Sequence, residues 1–130
     1  MGAWGHESFA NDDAMDWVAE LEAEGLPAVG RALAAVEDLA GEYLEAPACS
    51  SAVAAAEVVA ALRGRPAADL PEEVANWVAA HPSGSEELVQ AARRAVDAIT
   101  NRSELRELWE EVPDYELWRG AMTDLRGRLS

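Results

Sequence analysis

Residues 50–62 read Ser-Ser-Ala-Val-Ala-Ala-Ala-Glu-Val-Val-Ala-Ala-Leu, and this stretch constrains the architecture more than any other. Alanine has the highest intrinsic helix propensity, and its short side chain lets neighbouring helices approach closely. We therefore predict a central helix here. Ser50 or Ser51 is the expected N-cap, Gly64 supplies the left-handed stop, and Pro66 follows.

The sequence before this stretch predicts two helices with apolar residues at helical spacing. The first runs over residues 12–24, after an N-cap at Asn11 or Asp12, and ends at Gly25. The second runs over residues 27–44, opens at Pro27 and carries Tyr43 on its apolar face. Ala46-Pro47 is expected to end it.

The sequence after the central stretch predicts four further helices. A short one follows Leu70-Pro71, and the next begins at a capping box of Ser83 and Glu86 and runs to about Ile99. Ser103 caps a sixth helix. The last helix has apolar residues at intervals of three and four, namely Tyr115, Trp118, Met122, Leu125 and Leu129.

Composition agrees with an all-α fold. Of the 130 residues, 28 are Ala and one is Ile, and no window alternates apolar and polar residues as a strand would. We predict a single compact domain over residues 1–130 with six to seven helices. Each of four tryptophans falls on the apolar face of its helix, which predicts core packing rather than contact with a cofactor; they are Trp17, Trp77, Trp109 and Trp118.

The first eleven residues are predicted to dock on the helices as a structural plug formed by Trp4 and Phe9 beside Trp17. The opening, residues 1–17, reads Met-Gly-Ala-Trp-Gly-His-Glu-Ser-Phe-Ala-Asn-Asp-Asp-Ala-Met-Asp-Trp. It resembles the opening MGxWGxxxFxNDxAxDW of small bacterial proteins grouped as domain-of-unknown-function family 4259. Residues 56–64 and 101–111 extend the resemblance, and His6-Glu7-Ser8 departs from it. The resemblance implies no known activity.

The net charge of −15 is concentrated at the start of the chain, where residues 1–47 hold eleven acids and only Arg31 as a base. This balance disfavours nucleic acid as a partner. No signal peptide or apolar span is evident, so we expect a cytoplasmic protein that does not enter a membrane. Our leading hypothesis is a non-enzymatic inhibitor, immunity-like protein or adaptor that binds a basic protein. The predicted interaction face comprises Glu20, Glu24, Glu37 and Glu45.

Two alternatives remain. Asp12, Asp13 and Asp16 lie close enough in sequence to serve a metal-dependent or small-molecule enzyme. Exposure of the apolar seam of the last helix would instead favour a homo-oligomeric structural protein. We predict no catalytic residue, no cofactor and no metal site, because His6 and His81 lack an orienting partner in sequence and Cys49 is a single thiol.

Overall fold

The structure is a computed structural model that describes residues 5–38, 42–81 and 85–130. Those ranges contain seven helices and no strand, which confirms the all-α prediction. The helices are α1 (Asp12–Glu24), α2 (Leu26–Asp38), α3 (Ala46–Leu62), α4 (Glu72–Ala80), α5 (Glu86–Asn101), α6 (Glu104–Glu110) and α7 (Tyr115–Arg128).

Helix α3 forms the centre of the domain and packs against each of the other six helices. From Cys49 to Ala61 every residue except Ser51 is buried, so α3 has no solvent-facing side over three turns. A helix that is apolar on all sides belongs in the interior of a protein. The predicted central position of the alanine-rich helix is therefore confirmed.

The other helices each turn one apolar face towards α3. All four tryptophans predicted to be core residues are at most 8% exposed; they are Trp17, Trp77, Trp109 and Trp118. The indole N–H of Trp17 donates a hydrogen bond to the carbonyl oxygen of Ala28, which joins α1 to α2. The rings thus fill the spaces between helices, and the buried indole polar group is satisfied.

The boundary between α2 and α3 differs from the prediction. The described part of α2 is Leu26–Asp38, residues 42–45 are not helical, and Tyr43 is 56% exposed instead of facing the core. Helix α3 already begins at Ala46, so Ser50 lies inside it and is not its N-cap. The reason is Pro47, whose fixed φ suits the first turn of a helix and therefore starts α3 rather than ending α2.

The caps of three other helices fix their start points. The side chain of Asn11 accepts a hydrogen bond from the Ala14 N–H at 2.8 Å, and the Ser103 hydroxyl accepts one from the Arg106 N–H at 3.0 Å. Both caps were predicted. The predicted cap Ser83 lies outside the described residues, and Ser85 occupies the N-cap position of α5.

Candidate functional site

The outer face of α1 carries a row of four exposed carboxylates spaced four residues apart. We call Asp12, Asp16, Glu20 and Glu24 the acidic stripe. Because residues four apart lie on the same side of a helix, the four side chains form one line of negative charge. Within the described residues, only Glu24 of this line forms an ion pair, with Arg31 at 2.8 Å.

The predicted interaction face is only partly brought together. All four of its residues are exposed, but only Glu20 and Glu24 lie on α1. Glu37 is at the end of α2 and accepts a hydrogen bond from Arg94 of α5 at 2.9 Å. Glu45 is the N-cap residue of α3. The sequence prediction omitted Asp12 and Asp16, although their spacing from Glu20 would have identified them.

A shallow groove of about 200 Å³ lies beside the acidic stripe. Glu20 and Arg31 are at its edges, and Trp17 contributes to its wall. Four alanines from α2 and α3 also line it, namely Ala28, Ala32, Ala35 and Ala48. The groove therefore places small apolar surface next to the Glu20 carboxylate and the Arg31 guanidinium.

The three aspartates of the alternative enzyme hypothesis do not converge. Asp12 and Asp16 are exposed, whereas Asp13 is half-buried and lines a small, partly open pocket. In the described part of the chain, no three His, Cys, Asp or Glu side chains are grouped so that they could hold a metal ion. Two carboxylates one turn apart on an open helix surface supply too few ligands for a dedicated cation site.

The N-terminal segment, residues 5–11, lies against the helices. Phe9 is 8% exposed and belongs to the same apolar core as Trp17. Trp4, the third member of the predicted plug, lies outside the described residues. The Ala10 N–H donates to the Glu7 carbonyl at 3.0 Å, which closes a turn within the segment.

A buried polar contact, which sequence reasoning missed, ties this segment to both α3 and α7. We call it the latch. The Ser8 hydroxyl donates to Glu57 Oε2 at 2.6 Å, and Arg128 donates to both Glu57 oxygens at 2.8 and 3.2 Å. Partial burial lowers the pKa of Arg128, but Glu57 and Asp124 more than offset this and hold it above its ordinary value. The guanidinium therefore remains charged.

One signal for the latch was present in the sequence. Glu57 is the single charged residue in α3, so its burial required a partner of opposite charge. Nothing in the sequence identified Arg128, which is 71 residues away.

The N-terminal segment separates two concave regions. On one side, a cavity of about 40 Å³ is bounded by α3, α6 and α7, with Val53, Trp109 and Trp118 in its walls. On the other side, an open groove of about 540 Å³ contains Glu57 and Arg128. His6, Glu7 and Ser8 line both.

His6, His81 and Cys49 each contact neighbouring residues of the fold. His81 is the C-cap residue of α4, and its ring stacks on Trp77 with centroids 4.4 Å apart. Nδ1 of His6 is 3.0 Å from Glu7 Oε1. Burial raises the pKa of the Cys49 thiol to about 11, so it is protonated near neutral pH and lacks the thiolate needed for nucleophilic chemistry.

The apolar seam of the last helix is buried inside this chain. Trp118, Met122, Leu125 and Leu129 are each at most 4% exposed, and Tyr115, the remaining member of the seam, is half-buried against the core. The condition set for the homo-oligomer alternative, an exposed seam, is therefore not met. No helix in the described ranges has the length and apolar character required to cross a bilayer.

Comparison with known proteins identifies a family that this chain matches. The family model described as "Domain of unknown function (DUF4259)" matches residues 2–121, which include the acidic stripe, Ser8 and Glu57 but not Arg128. No curated protein and no solved structure matches the chain. Since the match covers nearly the whole chain, this protein belongs to the DUF4259 family, whose function is unknown.

Proposed function

We propose that this protein is a binding protein whose acidic stripe on α1 docks a basic protein partner. The supporting observation is the row of four exposed carboxylates at four-residue spacing, of which one is ion-paired within the described residues. The role that follows is that of an inhibitor, an immunity-like protein or an adaptor, acting by contact and without catalysis.

The energetics of the stripe support this proposal. Like charges four residues apart on a helix destabilise it by about 0.2–0.5 kcal/mol per pair. The stripe contains three such neighbouring pairs, and Arg31 offsets only its last part, through the ion pair with Glu24 at 2.8 Å and a longer-range attraction to Glu20. The helix dipole favours Asp12 in the first turn, but the repulsion along the rest of the stripe is only partly compensated, and binding a cationic surface would reduce it.

Two carboxylates of the later helices provide a contrast. Asp97 pairs with Arg126 at 2.9 Å, and Asp124 pairs with Arg128 at 2.8 Å. These charges are neutralised locally, so they project little field into solvent. The acidic stripe, by comparison, would attract a basic partner over a Debye length and accelerate encounter.

The groove beside the stripe adds a requirement on the partner. Its alanine lining and the wall of Trp17 accept short apolar side chains next to Glu20. The partner surface that fits best carries Lys or Arg around a small apolar patch. Charge then directs association, and apolar contact extends the lifetime of the complex.

Affinity capture with charge-reversed baits tests this proposal. The chain with Asp16→Lys, Glu20→Lys and Glu24→Lys should lose basic proteins that the unmodified chain retains. A control bait has the same change in net charge at exposed acids elsewhere, namely Glu72→Lys, Glu87→Lys and Glu111→Lys. It should retain them.

The association rate of a captured protein provides the quantitative test. Reversal of the stripe should lower the rate at least about tenfold at low ionic strength, and the difference should shrink as salt rises. Equal losses with both baits, or a rate insensitive to salt, would contradict the proposal.

A further inference from the structure

The first 47 residues contain a single arginine and no lysine, and the fold brings this arginine to the acidic stripe. Arg31 lies on α2, and its Nη2 donates a hydrogen bond to Glu24 Oε2 at 2.8 Å. This hydrogen bond, together with attraction to the carboxylates of Glu24 and Glu20, raises the pKa of Arg31 above its ordinary value. The protein therefore already holds one guanidinium against the stripe.

The turn between α1 and α2 fixes the backbone position of Arg31. Gly25 alone joins the two helices, and its φ of 74° is a left-handed conformation that glycine adopts without strain. The indole N–H of Trp17 donates to the carbonyl oxygen of Ala28 at 3.3 Å and holds the start of α2 against α1. Only the side chain of Arg31 therefore has to move for its ion pair with Glu24 to break.

The ion pair itself is exposed and easily broken. The side chains of Arg31 and Glu24 are 54% and 46% exposed, respectively. Ion pairs of this kind contribute little to stability, because both charges remain hydrated, and exposed side chains change rotamer rapidly. A second cation that reaches Glu24 can therefore displace Arg31 with little effect on the fold.

Arg31 also restricts access to the groove beside the stripe. Arg31 and Glu20 are the two charged residues that line this groove, whose other lining residues are mostly alanines. A cationic side chain that enters the groove is attracted by Glu20 but repelled by Arg31. Displacement of the Arg31 side chain removes this repulsion and opens the stripe and the groove together.

We propose that Arg31 is a built-in competitor for the acidic stripe and that an arginine of the basic partner displaces it from Glu24. This inference rests on the proposed function of the stripe. Arg31 occupies the position that the partner's guanidinium takes in the complex, so its contact is autoinhibitory and lowers the apparent affinity for the partner. Arginine suits this position better than lysine, because its planar guanidinium presents two donors to a carboxylate.

A fluorescently labelled alanine peptide with arginine at every fourth position is a suitable probe, because its cations repeat at the spacing of the stripe. Binding is measured by anisotropy at low ionic strength. Arg31→Gln removes the competing guanidinium and should tighten binding about three- to fivefold. Arg94→Gln is the matched control, since it breaks an ion pair of comparable exposure with Glu37, outside the stripe. It should change binding by less than about 1.5-fold.

Nuclear magnetic resonance separates displacement of Arg31 from a general effect of net charge. When the unmodified chain is titrated with the arginine peptide, the Arg31 Nε–H signal should shift saturably as the guanidinium leaves Glu24. The Arg94 Nε–H signal should not shift. The lysine analogue of the peptide should bind more weakly and displace Arg31 less. Equal displacement by the two peptides would contradict the assignment of arginine.

Reversal of the stripe distinguishes failure of this inference from failure of the proposed function. The chain with Asp16→Lys, Glu20→Lys and Glu24→Lys should no longer bind the arginine peptide. Binding that survives this reversal would overturn the proposed function and the inference with it. If the reversal abolishes binding but Arg31→Gln tightens it no more than Arg94→Gln, or the Arg31 signal does not shift, the stripe still binds cations and Arg31 is not its competitor.

Discussion

Glu57 and Glu20 are the same residue type in opposite settings. The Glu57 side chain is 3% exposed and is held by Ser8 from the N-terminal segment and Arg128 from α7. Glu20 is exposed on α1 and has no ion-pair partner within the described residues. One carboxylate joins three parts of the chain, and the other projects into solvent beside three further acids.

This difference distinguishes a carboxylate whose contacts stabilise the fold from carboxylates that contribute little to stability. A buried carboxylate must be compensated, because removal of its partner leaves an unpaired charge away from water. An exposed carboxylate contributes little to stability, and a row of them is mildly unfavourable. Glu57 therefore stabilises the fold, whereas the acidic stripe remains available for binding.

The largest predicted effect follows from breaking the latch. Arg128→Met removes the cation that compensates Glu57 and should lower the free energy of unfolding by about 3 kcal/mol. Chemical denaturation provides the measurement. Arg126 lies in α7 like Arg128, and Arg126→Met breaks its more exposed ion pair with Asp97 of α5. This substitution should lower the free energy of unfolding by less than about 1 kcal/mol. Similar losses in the two variants would remove the distinction between buried and exposed pairs.

A smaller effect concerns Cys49, which is buried in α3 like Glu57 but has no opposite charge as partner. Its pKa is raised to about 11 from an ordinary value of 9.0, so the fold favours the neutral thiol. As pH rises, the thiol therefore loses its proton at a lower pH in the unfolded chain than in the folded protein. The contribution of the neutral thiol to the free energy of unfolding is fully present below about pH 9 and is lost by about pH 11. The decrease is on the order of 2 kcal/mol.

Urea denaturation at a series of alkaline pH values measures this loss. Cys49→Ala removes the titrating group and serves as the control, so its stability should fall less steeply over the same range. Parallel pH profiles for the two proteins would show that the thiol is not held neutral by burial.

The helical fold was largely predictable from sequence because apolar spacing and caps are local signals. Asn11 and Ser103 were identified as caps, and the burial of α3 followed from its alanine content. Pro47 was misassigned because a proline is compatible with both the end of one helix and the start of the next. Only the tertiary structure decides between them.

The candidate sites were less predictable because they depend on contacts between distant residues. The acidic stripe is local, and its four-residue spacing was available in the sequence. The latch joins Ser8, Glu57 and Arg128 across most of the chain, and only the lone charge of Glu57 pointed to it.

The smallest predicted effect is that of neutralising the acidic stripe, and its comparison with Glu57 is the most direct test of the division between the two kinds of carboxylate. The free energy of unfolding should be compared for matched neutralising substitutions, Glu57→Gln and the pair Asp16→Asn with Glu20→Gln. We predict that Glu57→Gln loses about 2 kcal/mol, because it weakens two charge-assisted contacts. The stripe variant should be unchanged or gain about 0.5 kcal/mol as repulsion is relieved. A loss in the stripe variant as large as that in Glu57→Gln would contradict the account, because the acidic stripe would then be part of what stabilises the fold.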